Sequence, residues 1–298
     1  MKLTRILILS LILAVVVPSM RAQETPGEKY PADKRFYEVV DRWVMFPETG
    51  GDSTYFYGFI YIDEMAGFTF DCVNTFTIDV NGAFVPDPLE APLNLKVRLT
   101  RDWNTVAVIP EDKMNELGLP PQPEWLHLYK RNEHTDGYSV RVGSFYNGVR
   151  ASGIALGYLE KVYIKAPETK GLAFELAFAY NALEQYDKGS VVAMNALITD
   201  PDNPLLYKEL VHALCNLDRM DEAEKAVARG IEKTENRYYK AEMSINMVQA
   251  YYRSGDKEKF LEWYGKAKTY AARGSAVDQF AEYMKAEMEK GEMPENDE

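Results

Sequence analysis

The sequence predicts an α+β chain: a small antiparallel β-rich N-terminal domain, then an all-α helical repeat array of about four helix hairpins plus a capping helix. Three observations carry this. Apolar residues alternate with period two from Phe68 to Val80 and run into Asn81-Gly82, a hairpin signal. Beyond position 136, residue classes recur every 34 residues. Between the two regions the proline cluster Pro120, Pro121, Pro123 breaks the chain. With 298 residues, 46% hydrophobic and 27% charged, there is apolar material for two ordinary domains, which excludes a disordered or fibrous chain.

Residues 1–22 have a signal-peptide layout: Lys2 and Arg5, an uncharged stretch from Ile6 to Val17, Pro18 as breaker, and Ala22 at a cleavage position. The rival reading is an uncleaved anchor. A twelve-residue apolar helix, however, reaches only ~18 Å across a hydrocarbon core of ~30 Å, so stable membrane insertion is not expected. No cysteine lies near the cut, which argues against a lipid anchor. The expectation is an exported protein, periplasmic or secreted. Cleavage after Ala22 removes three of the 34 basic residues and leaves 31 against 46 acidic ones, taking the net charge from −12 to −15. Such a chain has no basic field for nucleic acid or anionic lipid. Cys72 and Cys215 are too few for a disulfide framework and lack zinc-site spacing. They either pair with each other or stay buried as small hydrophobes. With three histidines besides, no metal and no cofactor are expected.

A polar linker spans 23–32 and the β-rich domain 33–120. Phe36, Val39, Val40 and Trp43 are spaced as one amphipathic helix ending before Pro47. Tyr55–Ile62, apolar on both faces, suits a central strand. In the next strand the even positions Phe68 to Val80 form one dry face and the odd ones a wet face. Asn81-Gly82 predicts a type I′ turn into Ala83–Val85, and Leu93–Thr100 with Val106 and Val108 completes a sheet of four to six strands. Pro110–Leu117 reads as a short helix stopped by Gly118. Asp71 and Asp79 lie ~27 Å apart on one strand face, too far to be a catalytic pair. No phosphate loop, metalloprotease motif or nucleophile elbow is present. Tyr55, Tyr57 and Tyr61 are either core or a sugar-stacking platform.

After a connecting segment, 121–135, the repeats fall at 136–169, 170–203, 204–237 and 241–274. Their columns are Ala155, Gly189, Ala223; Gly143, Ala177, Val211; Tyr146, Tyr180, Leu214; and Val162, Ala196, Gly230. Pro167 and Pro201 close the first two units. The fourth unit is displaced by three residues, giving Val248, Tyr251, Phe260 and Ala267. On these residues the region 136–274 resembles the tetratricopeptide repeat (TPR) family. It departs from the family pattern where Arg150 replaces the turn glycine and where Phe260 replaces a small residue. Residues 275–291 form a capping helix and 292–298 an acidic tail.

The resemblance implies a concave surface, lined by the first helices, that holds a peptide or protein partner. Transferred position by position, that surface consists of Ser144, Asn147, Phe174, Phe178, Asn181, Lys208, His212, Asn216, Gln249, Tyr252 and Arg253. Asn147 and Asn181 stand one repeat apart and either bond a peptide backbone or bond neighbouring helices. The carboxylate clamp of some TPR domains is not reproduced. The expected function is a non-catalytic exported binding or scaffold protein. The alternative is a glycan- or nutrient-binding protein of the cell envelope that uses the tyrosine-rich surface of the β-rich domain, and an exposed aromatic cleft between the domains would mark it.

Overall fold

A computed structural model describes residues 30–46, 54–88, 93, 95–103 and 105–291. The signal peptide, most of the linker and the acidic tail read from the sequence lie outside them. The N-terminal half is a six-stranded antiparallel sheet of β1 (Arg42–Met45), β2 (Thr54–Asp63), β3 (Gly67–Ile78), β4 (Phe84–Pro86), β5 (Leu95–Arg98) and β6 (Ala107–Val108). The strand order is β4-β3-β2-β1-β6, and β5 joins the free edge of β3 further along, at Thr69–Cys72.

The helix expected over Phe36–Trp43 does not form. Phe36–Glu38 is a single 3₁₀ turn, and Trp43 and Val44 belong to β1. Asp41 explains the difference: it adopts φ 61°, a left-handed conformation that ends any right-handed helix, and its N–H donates to the Ile60 carbonyl at 2.7 Å. The turn after β3 is also of another type. Only Gly82 has positive φ, whereas a type I′ turn needs two such residues, and the N–H of Gly82 donates back to the Asp79 carbonyl. The Asp79 carboxylate accepts from the N–H groups of Asn81 and Ala83, which secures a three-residue loop instead.

Both faces of the sheet are covered, not one. Pairing steps from Tyr57↔Asn74 to Gly58↔Cys72, so Val73 is an extra residue in β3 and the side chains beyond it change sides. Phe68, Phe70 and Cys72 therefore enter one core with Val44, Ile60 and Ile62, whereas Phe76 enters a second core with Trp43, Tyr57, Phe59 and Tyr61. The second core is closed by α1 (Glu111–Met114), Leu117, Leu119 and α2 (Leu126–Tyr129). Lys96 of β5 sits among the rings of Tyr61, Trp125 and Tyr129, 4.7–5.4 Å from their centroids, and beside Asp71 at 3.7 Å, which pins the edge strand to α2.

Four hairpins follow: α3/α4 (Asp136–Gly148, Ser152–Lys165), α5/α6 (Leu172–Ala182, Tyr186–Thr199), α7/α8 (Pro204–Asn216, Met220–Glu232) and α9/α10 (Arg237–Arg253, Lys257–Tyr270). A last helix, α11 (Ala276–Glu289), is capped by the Ser275 hydroxyl. Small residues allow the close approaches. A Cβ on Gly143 would stand 2.5 Å from Leu159, and one on Gly230 2.6 Å from Met243. The residue between the helices of each hairpin is left-handed throughout: Arg150 at φ 63°, Glu184 at 59°, Asp218 at 54° and Gly255 at 74°. The turn geometry thus repeats where its glycine does not. Cys72 and Cys215 are both buried and unpaired, one in each half.

The first core is continuous between the halves. Phe68 of β3 packs edge-on against Tyr146 of α3, ring centroids 5.0 Å apart, and the array-facing core runs on to Met288 of α11. The tip of the β2–β3 hairpin rests on the same helix, where Arg141 meets Glu64 at 3.5 Å.

Backbone geometry sets two stability expectations. At the bulge a Cβ on Gly58 would lie 2.1 Å from the Asp71 carbonyl oxygen, whereas one on Gly157, inside α4, meets nothing within 4 Å. Gly58→Ala should cost about 2 kcal/mol or more, and Gly157→Ala should add about 0.5–1 kcal/mol, in urea unfolding. Glu184→Gly, which relieves a left-handed non-glycine residue, should raise stability by about 0.5–1 kcal/mol, read as a higher urea midpoint.

Candidate protein-binding groove

The face of the array formed by successive first helices holds a cavity of about 280 Å³, lined among others by Phe178, Lys208, His212, Glu242, Ile245 and Asn246. Its parts come from α5, α7 and α9, and Val277 reaches it from α11. Lys208 is the cationic centre. Its Nζ lies 3.3 Å from Glu209, 3.4 Å from Glu242 and 5.7 Å from the face of Phe174. Burial opposes its charge, but the two carboxylates outweigh burial and leave its pKa raised. His212 Nδ1 is 3.3 Å from Asn246 Oδ1, and the His212 ring stands edge-on to Tyr186. The surface is amphipathic, with one aromatic wall, amide and imidazole hydrogen-bonding groups, and two carboxylates to one ammonium.

Of the residues expected on this surface, Phe178, Asn181, Lys208 and His212 are gathered at the cavity. Phe174 adjoins it, its ring 6.4 Å from that of Phe178. Asn216 bonds back to the His212 carbonyl at 2.8 Å. Ser144 and Gln249 are half-buried on α3 and α9, outside the cavity.

The amides of Asn147 and Asn181 are engaged within the array. Each is about 95% buried and donates across the hairpin interface, Asn147 to the carbonyl and carboxylate of Glu175 at 2.9 and 2.8 Å, and Asn181 to those of Glu209 at 3.0 and 3.0 Å. They are staples between repeats, and of the two roles open to them the helix-bonding one is realised. In the next interface the corresponding contact is between sulfurs, Cys215 Sγ to Met247 Sδ at 3.5 Å.

Tyr252 and Arg253 also lie elsewhere. Tyr252 packs on Phe260, and Arg253 donates to the Cys215 carbonyl at 2.6 Å, which satisfies the end of α7. The cause is the position of the three extra residues of the fourth unit. They lengthen α9 at its C-terminal end, after the groove positions, so Lys208 and His212 meet Glu242 and Asn246, each 34 residues on. The signal for this register was Asn236, which caps α9 as Asn203 caps α7, 33 residues earlier.

The tyrosine platform is absent from the strand surface. Tyr57 and Tyr61 are 2% and 0% exposed, and Tyr55 stacks on Phe76. Asp71 is engaged by Lys96 and Asp79 by its own turn. Among the described residues no group of three His, Cys, Asp or Glu side chains gathers to hold a metal ion, and no helix is long and apolar enough to cross a membrane.

No family model and no curated protein matches the chain. Among solved structures, MamA MSR-1 aligns over 50% of this chain and 84% of its own, with 21% identity and a TM-score of 0.42. TTC0263, a thermophilic TPR protein in Thermus thermophilus, aligns over 54% and 87%, with 16% identity and a TM-score of 0.46.

The staple yields a prediction. Asn181→Ala removes both donors to Glu209, which is 4% exposed, and should cost about 1–3 kcal/mol in urea unfolding. A change within experimental error would show that Asn181 is not a staple. By its own geometry, with a 34-residue step, small residues at the helix contacts and a left-handed residue at each hairpin turn, the helical half is a TPR-type stack of hairpins.

Proposed function

We propose that this chain is a non-catalytic, exported scaffold protein that grips a segment of a protein partner on the concave side of its helical array. The observation that carries the reading is the composite cavity at Phe178, Lys208, His212, Glu242, Ile245 and Asn246. Three repeats and the cap contribute to it, and it pairs apolar walls with unlike hydrogen-bonding groups. Such a surface suits a peptide, whose backbone offers donors and acceptors while its side chains seek apolar contact. Two carboxylates against one lysine, on a mature chain of net charge −15, favour a neutral or basic segment over an acidic one. Export rests on residues 1–22 and places the partner in the cell envelope or outside the cell.

The test is affinity capture from cell-envelope extract with the mature chain and two variants. Phe178→Glu with Asn246→Ala alters the groove, and Ile198→Glu alters a residue 79% exposed on α6. A partner held by the wild type and the Ile198 variant but reduced about tenfold or more by the groove variant is the expected result. Equal recovery in all three overturns the groove assignment.

A further inference from the structure

A second groove lies on the other side of α7, between α6 and α8, and encloses a cavity of about 370 Å³. Lys208 and His212 of α7 line the first-helix groove, while Leu210 and Leu214, each two residues on and so about 200° round the helix, floor this one. Met194, Leu197 and Ile198 make one wall, and Lys225, Ala226 and Arg229 the other. Along α6, Val191, Met194 and Ile198 form an apolar row at i, i+3 and i+7, and its ends are 50% and 79% exposed. Stacking of the hairpins does not demand that row. One repeat on, the same positions of α8 carry Lys225, Ala228 and Glu232, and one repeat back those of α4 carry Gly157, Glu160 and Ile164.

The charge of this groove runs against that of the chain. Its charged lining residues are Glu222, Lys225 and Arg229. Both oxygens of Glu222 accept from Arg219, at 2.8 and 2.7 Å, so that carboxylate is already matched. The side chains of Lys225 and Arg229 make no ion pair or hydrogen bond among the described residues, and Lys225 reaches Glu222 only through longer-range attraction, behind Arg219. Asp221 and Glu232 of the same helix, and Asp200 and Asp202 beside Pro201, are outside the lining. In the first-helix groove, by contrast, Lys208 stands between Glu209 and Glu242. On a chain with 34 basic and 46 acidic residues, two cations without a carboxylate, beside an exposed apolar wall, are complementary to an acidic and partly apolar ligand. Lys225 and Arg229 are one helical turn apart, so carboxylates one turn apart on a facing helix meet both.

We infer that this groove docks an acidic amphipathic helix of a partner protein, its apolar row against Met194, Leu197 and Ile198 and its carboxylates on Lys225 and Arg229. Two neighbouring helices leave a groove into which the side-chain ridge of a third packs, and the cations on one wall set the sign of the partner. The site is separate from the first-helix groove, and neither reading depends on the other.

The test uses the full mature chain, ¹³C-labelled at isoleucine and methionine methyls. It is titrated with a helical peptide carrying a leucine row flanked by glutamates, with its counterpart flanked by lysines, and with a glutamate peptide whose leucines are replaced by glutamine. The expected result is saturable binding of the first peptide, with shifts of the Met194 and Ile198 methyls and none at Ile245 in the first-helix groove, and binding of the other peptides weaker by about tenfold or more. Ile198→Ser should weaken the first peptide about fivefold or more. Lys225→Glu with Arg229→Glu should reverse the preference, so that the lysine peptide binds more tightly than the glutamate one; both side chains are exposed, and the fold does not depend on them. Phe178→Glu should leave the binding unchanged. The inference is overturned if no peptide binds at millimolar concentration, if the lysine peptide binds the wild type as tightly as the glutamate one, if the reversed variant keeps the wild-type preference, or if Phe178→Glu abolishes binding. Should the reversed variant fail to fold, the wild-type methyl map and the peptide comparison decide.

Discussion

A helical hairpin in a stack has two apolar faces and can cover neither by itself, and the rest of this structure follows from that requirement. Inner hairpins are covered by their neighbours, but the first and last need other cover. At the C-terminal end α11 supplies it, burying Ala281, Met284 and Met288. Its start is held by Asp278, which accepts from the Gly274 N–H at 2.7 Å and from Lys268; these two, Lys268 foremost, lower the carboxyl pKa. At the other end the cover is the β-sheet. Phe68 against Tyr146 and the β2–β3 tip against α3 make the sheet half a cap for the first hairpin.

To act as a cap, one sheet must face two cores, and the bulge at Val73 makes that possible. Without it the even residues of β3 would all point to one side, and Phe76 would leave the core it shares with Tyr57 and Phe84. Gly58 is the partner of this arrangement, since only a residue without a Cβ can lie so near the Asp71 backbone. The layers are then short helices, sheet and helical array. Lys96, held among three rings and Asp71, ties the outermost strand to the first of these layers.

Polar groups inside the molecule divide by how fully they are engaged. The Asn147–Glu175 and Asn181–Glu209 staples use both the backbone and the carboxylate of the next repeat and hold neighbouring repeats in register. Groove groups such as His212 and Asn246 are bonded to each other at 3.3 Å on a half-open surface, where they can exchange partners. Asp41 Oδ1 and Asn181 Oδ1 are both buried without a hydrogen-bond partner, the first beside the Lys130 ion pair and the second within a staple.

The sequence alone determined the two-part architecture, because alternation of period two and recurrence every 34 residues are imposed by local backbone geometry and survive in a linear string. It also contained the short helix stopped by Gly118 and the last helix that starts at Ser275. Tertiary structure decided the rest. Helical spacing from Phe36 to Trp43 gave way to Asp41, whose left-handed turn feeds β1 into the sheet. Buried amides and exposed amides have the same one-letter code, so the staple role of Asn147 and Asn181 emerged only once Glu175 and Glu209 stood beside them. The three extra residues of the fourth repeat could be placed only by seeing α9 lengthen past the groove, since a count of positions does not say at which end of a helix an insertion is absorbed. Packing between elements distant in sequence settled each of these, and local periodicity carries no record of it.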